Sequence, residues 1–288
     1  MNPKQVSQWS FYLLTNVTSV PNVEGMRREV AIGVPSLALA TAGGLWVQAL
    51  HSANASLPRF ADLCASGNYG NPAGDPVHIA ILGDSSLTGP GLGDGSEIWI
   101  AQLVDRLHWN VQLRSHAKGG SRVRDVLLHQ AADAALTKPD LFVLAVGSND
   151  ALHATSTRLF RRDLQTLLNR LSYVAPVLSL GIGDLSVIPR LPKGLRPLVA
   201  HRSATLDQIH TQVADRVTRV TRVPVRELSD SIFRSSTTDL FAEDRFHPNS
   251  QGHTAWADMF EPFVRTALNQ TGFQGASSAA LPALSVTA

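Results

Sequence analysis

Residues 79–91 read IAILGDSSLTGPG. An aliphatic run, 77–82, interrupted only by His78, stops at Gly83, and Asp84, Ser85 and Ser86 follow before the chain turns glycine-rich. A short run with no polar alternation reads as a strand covered on both faces, as in a parallel sheet. Ser85 then sits just past the C-terminal end of that strand. It is either a turn residue or a nucleophile. A serine hydroxyl attacks poorly unless a base takes its proton and donors wait for the oxyanion, so the rest of the chain decides.

Working outward, apolar runs alternate with helical periodicity from 76 to 271. The spacing predicts helices over 97–108, 121–136, 156–171, 197–219 and 250–268, and strands over 77–82, 111–114, 141–146 (LFVLAV), 176–180 and 223–225. Such alternation means βαβ units: a parallel five-stranded sheet between helical layers. In these sheets the ligand lies beyond the strand C-termini. Function is therefore expected in the loops 83–95, 116–121, 147–155, 181–196 and 226–249.

Four of these loops carry complementary chemistry. Ser85 ends the first strand. Gly119-Gly120-Ser121 follows the second, Gly147-Ser148-Asn149-Asp150 the third, and Asp244-Arg245-Phe246-His247-Pro248 the last. Each is weak alone, since Gly-Gly is usually a turn and Asn-Asp a cap. Together they supply every part of a serine esterase. His247 can take the Ser85 proton, because imidazole titrates near neutrality. Asp244, three residues earlier, can accept from the other ring nitrogen and set the tautomer. The Ser85 N–H, the Gly120 N–H and the Asn149 amide can face a developing oxyanion. If the strand order is 2-1-3-4-5, these three come from adjacent strand ends. Asp84 and Asp150 are read as loop-fixing residues.

These blocks resemble the SGNH (GDSL-type) hydrolase superfamily over about 77–265. Its signature residues match Ser85 in GDSS, Gly120 in KGGS, Asn149 in GSND and His247 in DRFHP, with Asp244 as the acid. GDSS in place of GDSL alters a packing position. The resemblance implies a flavodoxin-like three-layer α/β/α sandwich and carboxylic ester hydrolysis through an acyl-enzyme, with no metal and no cofactor. The substrate expected is a small-molecule, lipid or carbohydrate ester. An acyltransferase on the same site and a non-catalytic ligand-binding domain stay open; a flavin-binding flavodoxin-like protein is the weakest alternative.

Composition narrows the field. The 288 residues carry a formal net charge of +2 with scattered arginines, which gives no nucleic-acid footprint. One cysteine, Cys64, excludes an internal disulfide and a cysteine-based metal site. The glycine-rich 89–93 lacks a GxGxxG or GK[ST] pattern. His253 and the other histidines outside the DRFHP block read as core or surface residues.

The ends differ from this domain. Residues 30–50 (VAIGVPSLALATAGGLWVQAL) carry no charge, are preceded by Arg27-Arg28, and are about the length that spans a bilayer. They resemble an export signal or membrane anchor, which gives an exported or membrane-associated protein as the expectation and a cytoplasmic one as the alternative. That pattern also predicts translation from Met26; an intact mass that includes residues 1–25 would refute it. Residues 51–76 read as a linker, 1–75 as an N-terminal extension, 76–271 as the hydrolase domain and 272–288 as a loose tail.

Overall fold

The computed structural model describes residues 57–73, 75–235 and 239–271. The anchor-like segment 30–50, the Met26 start and the tail 272–288 lie outside the described residues. Among the described residues, no helix is long and apolar enough to cross a membrane.

Six strands form one sheet. They are β1 (Gly67–Tyr69), β2 (Val77–Gly83), β3 (Val111–Ser115), β4 (Leu141–Ala145), β5 (Val177–Leu180) and β6 (Val220–Val223), in the order β1-β3-β2-β4-β5-β6. The pairs β3–β2, β2–β4, β4–β5 and β5–β6 are parallel. These five strands reproduce the expected order. The structure adds a sixth, β1, antiparallel to β3 at the edge.

That edge strand revises the reading of 51–76 as a linker. In its described part Ala65 is fully buried, and the Ser66 hydroxyl accepts from the Ser115 N–H at 2.9 Å. Small polar residues hid the strand. At an edge it needs only backbone partners and a single inward side chain.

The helices are α1 (Trp99–Arg106), α2 (Val123–His129), α3 (Ala131–Leu136), α4 (Ser148–Leu152), α5 (Thr157–Val174), α6 (Arg196–Ala214), α7 (Val225–Ser235) and α8 (Ser250–Asn269). Alternate strand residues feed two cores. Ile79, Ile81, Val143 and Leu178 face Ile100 and Leu103 of α1 and Phe260 and Val264 of α8. Ala80, Leu82, Phe142 and Leu144 face α2, α3, α5 and α6 on the other side, through residues such as Val126, Ala134, Leu164 and Leu206. Helices on both faces are why β2 and β4 are apolar at successive positions rather than alternately.

Several element expectations change: the helix expected over 197–219 ends at Ala214, and the last strand lies at Val220–Val223 rather than 223–225, with Val225 opening α7. The span 121–136 is broken at Gln130, whose backbone leaves helical geometry. The span 226–249, expected as loop, contains most of α7. Its short amphipathic stretch VRELSDSIFRS buries only Val225, Ser229 and Phe233, too few apolar residues to stand out as a period.

Candidate active site

The turn after β2 is built around close approach. At Gly83 φ is +146°, and a Cβ there would lie 2.0 Å from the Ala145 carbonyl oxygen, so only glycine lets β2 end against β4. Asp84 then caps a short 3₁₀ turn, Ser85–Leu87. Its Oδ1 accepts from the Ser86 N–H at 3.0 Å and the Ser86 hydroxyl at 2.7 Å. The Trp99 indole N–H donates to the Ser86 carbonyl at 3.1 Å. Ser85 is thus held between a cap and a fully buried indole.

The loops after β3 and β4 are tied to this turn. Buried Gln130 accepts from the Gly83 N–H (2.8 Å) and donates to both the Gly83 carbonyl (3.0 Å) and the Ser121 hydroxyl (3.1 Å). This explains the break between α2 and α3: the side chain is used across the sheet end. Asn149, in α4, donates its amide to the Ser121 carbonyl at 3.2 Å and to Asp84 Oδ2 at 3.4 Å. Asp150 is buried and accepts from the Val123 N–H at 2.9 Å, which pins the same loop to the start of α2. Asp84 and Asp150 therefore fix loops, as their positions suggested. Burial pushes the Asp84 carboxyl up to about 6; hydrogen bonds from Ser86 oppose the shift and the Asp150 charge adds to it. Burial also raises Asp150, against its hydrogen bond from Val123.

The fourth loop is closed mainly by its own backbone bonds, with one from outside, from the Arg190 N–H to the Arg245 carbonyl at 2.9 Å. The Ala242 N–H reaches the His247 carbonyl at 2.8 Å, the Asn249 N–H reaches the Leu240 carbonyl at 2.9 Å, and Phe241 pairs with Pro248. Inside it, Asp244 Oδ1 accepts from the Phe246 and His247 N–H groups at 2.9 and 3.0 Å, and Oδ2 lies 2.6 Å from His247 Nδ1. Burial works to raise the Asp244 carboxyl, but the hydrogen bonds from His247 and Phe246 outweigh it and hold the group below its usual value. An ionised acceptor this close fixes the proton on Nδ1 and leaves Nε2 as the basic nitrogen. Asn249 caps α8, its side-chain oxygen accepting from the Gly252 N–H at 3.0 Å.

Ser85, Asn149 and His247 line one cavity of about 130 Å³, far above the roughly 10–15 Å³ that one water requires. Much of its lining is apolar, from Leu180, Ile188, Val225, Phe233, Phe241 and Phe260, with Asp184, Ser229 and Asp230 among the polar residues. The loop 181–196 contributes through residues between Gly181 and Ile188, and the loop 83–95 through Ser85 and Ser86. Asp244 stands behind His247. Gly120 is not on the cavity wall but precedes Ser121, whose carbonyl holds Asn149. Its φ of +77° calls for glycine, and nothing lies within 4 Å of where a Cβ would point.

Two contributors escaped the sequence reading, and each had a faint signal. Gln130 falls four residues after Val126, on the buried face of its helix, where a polar side chain must find partners. Trp99 opens a helix beside a glycine-rich loop. His253 is a core residue, as expected: buried, with Nδ1 accepting the Trp99 N–H at 3.2 Å. Among the described residues no group of three or more His, Cys, Asp or Glu is arranged to hold a metal ion.

The fold and cavity define an SGNH-type α/β/α protein, and comparison with known proteins agrees. The model of the GDSL-like lipase/acylhydrolase family matches residues 81–255. A GDSL-like esterase of Mycobacterium tuberculosis is 28% identical over 202 residues, 67% of this chain; the chain spans 63% of that relative's length. Two solved structures share the fold. The psychrotrophic esterase EstA from Pseudoalteromonas sp. has a TM-score of 0.52 at 19% identity, over 67% of this chain and 98% of its own. An acetylxylan esterase from Geobacillus stearothermophilus has a TM-score of 0.51 at 16% identity, over 73% and 98%. The chain belongs to the GDSL-like lipase/acylhydrolase family.

Proposed function

We propose that this protein is a serine hydrolase that cleaves carboxylic esters with an apolar acyl group. The observation that carries the reading is the shared cavity: Ser85 and His247 both line it, with Asp244 2.6 Å behind the imidazole. Ser85 Oγ attacks the ester carbonyl carbon and its proton passes to His247 Nε2. The carbonyl oxygen becomes an oxyanion facing the Ser85 and Gly120 N–H groups and the Asn149 amide. Collapse breaks the C–O bond to the alcohol, which leaves with the proton from His247. Water then attacks the acyl-Ser85 ester, gives its proton to His247, and releases the acid as Ser85 recovers its hydrogen.

Asn149 adds a constraint. Its amide has two N–H groups, directed to Ser121 and Asp84. The 3.4 Å contact to Asp84 is the weaker, so that N–H turns to the substrate oxygen. The acyl chain lies against the aromatic and aliphatic inner wall.

The test is hydrolysis of a series of p-nitrophenyl esters by the full chain beside Ser85→Ala. Loss of at least about 10³-fold in kcat is expected on removal of the nucleophile, with kcat/KM rising from acetyl to medium-length acyl chains. Undiminished activity of Ser85→Ala would reject the nucleophile, and a strict acetyl preference would reject the acyl assignment.

A further inference from the structure

The segment just before β1 reaches across the face of the site. Asp62 Oδ1 accepts from the Thr88 hydroxyl at 2.7 Å, and its Oδ2 accepts from the Gly119 N–H at 2.9 Å. The next residue, Leu63, donates its N–H to the Thr88 carbonyl at 2.7 Å. Thr88 is buried and closes the 3₁₀ turn that Ser85 opens; its own N–H donates to the Ser85 carbonyl at 3.3 Å. Gly119 is bonded directly to Gly120. One carboxylate therefore joins the loop that carries Ser85 to the loop that carries Gly120.

The two glycines now separate by reason. A Cβ on Gly119 would lie 2.4 Å from Asp62 Oδ1, so Gly119 is small because Asp62 approaches it. Gly120 is glycine because its φ is +77°. The clamp grips the N–H of the first, one peptide before the peptide whose N–H belongs to the second.

We infer that Asp62 is a positioning residue for the oxyanion site: it holds the Ser85 and Gly120 N–H groups at a fixed separation. The inference rests on the ester-hydrolase reading above. Two backbone donors on separate loops stabilise an oxyanion only if both meet the same atom, and a displacement of about 1 Å in a catalytic group can cost about 10²-fold in rate. Asp62 touches no substrate atom. It acts through Thr88 and Gly119.

The experiment compares the full chain with Asp62→Ala, Asp62→Asn and Ser85→Ala. Readouts are kcat and KM on a p-nitrophenyl ester, the inhibition constant of phenylboronic acid, and Tm. The boronic acid forms a tetrahedral anionic adduct on the serine, with a boron oxygen at the oxyanion position. For Asp62→Ala, kcat is expected to fall by about 10- to 100-fold with KM within about threefold. Boronic acid affinity should weaken by a similar factor. Asp62→Asn keeps an acceptor for the Gly119 N–H and a donor for Thr88 Oγ1, so it should retain most of the rate. If Asp62→Ala does not fold, Thr88→Val removes only the hydroxyl arm of the clamp and should show the same pattern at smaller size. Unchanged kcat and boronic acid affinity, whatever the Tm, would overturn the clamp. So would a loss of kcat with no loss of boronic acid affinity. Ser85→Ala separates the two levels: if it stays active the hydrolase reading fails, and if it is inactive while Asp62→Ala is unaffected only the clamp fails.

Discussion

The proposed base and the proposed oxyanion donors are built in opposite ways. Asp244 and His247 are three residues apart in a loop closed by its own backbone bonds. Asn149 meets a carbonyl 28 positions away, Gln130 grips Gly83 across 47, and Asp62 spans 57 to Gly119. The first arrangement survives as long as one short loop does. The second exists only when three strand ends and the segment before β1 are packed together. The proposed base should thus be less sensitive to distant changes than the proposed oxyanion site, with the Arg190–Arg245 bond its one long-range backbone tie.

The sharpest way to test the local half is Asp244→Asn. The asparagine carbonyl can still accept the two backbone N–H groups, so the loop should keep its shape. Its NH₂, however, faces His247 Nδ1 and favours the tautomer with the proton on Nε2, which cannot accept from Ser85. We expect kcat to fall by up to about 10⁴-fold with little change in Tm. Equal losses in both would mean that Asp244 serves the loop rather than the imidazole.

The assembled half should respond less per residue, because its donors share the load. Asn149→Ala is expected to lower kcat by about 10²- to 10³-fold with KM nearly unchanged, measured on the same esters. It also frees the Ser121 carbonyl and Asp84 Oδ2, so a Tm change is expected alongside. A KM effect without a kcat effect would place Asn149 in substrate binding instead.

The smallest effect concerns the core between the two halves. Burial holds His253 down to about 3, with the His247 charge adding to the shift. In the unfolded chain a histidine takes a proton below about 6.5. Between those values the unfolded state binds more protons, so this residue's contribution to stability is present above 6.5 and is lost as pH falls. His253→Asn places an oxygen where Nδ1 accepts from Trp99 and does not titrate. Its Tm should fall less than that of the unsubstituted protein from pH 6.5 to 4, with a constant offset between the two above pH 7. Parallel Tm profiles would refute this. Buried His210, held down to about 4 chiefly by burial, contributes the same sign in both proteins.

Much of this was legible in the amino-acid order. The aliphatic runs at 77–82 and 141–146 announced a doubly covered sheet, because a strand packed on both faces has no room for polar alternation. The blocks around Ser85, Gly120 and Asn149 follow strands, where side chains and N–H groups can meet a ligand, and that of His247 comes after α7. The pairing of Asp244 with His247 was within reach for the same reason, since a three-residue separation is settled by local backbone. Tertiary structure alone decided which polar groups join the loops. Nothing in the string of small residues before Gly67 marks Asp62 as a partner of Gly119, and Gln130 looks like an ordinary helix position. Hydrogen bonds across 47 or 57 residues depend on the whole sheet forming first, and an edge strand such as β1 is held by backbone bonds that leave almost no trace in side-chain identity.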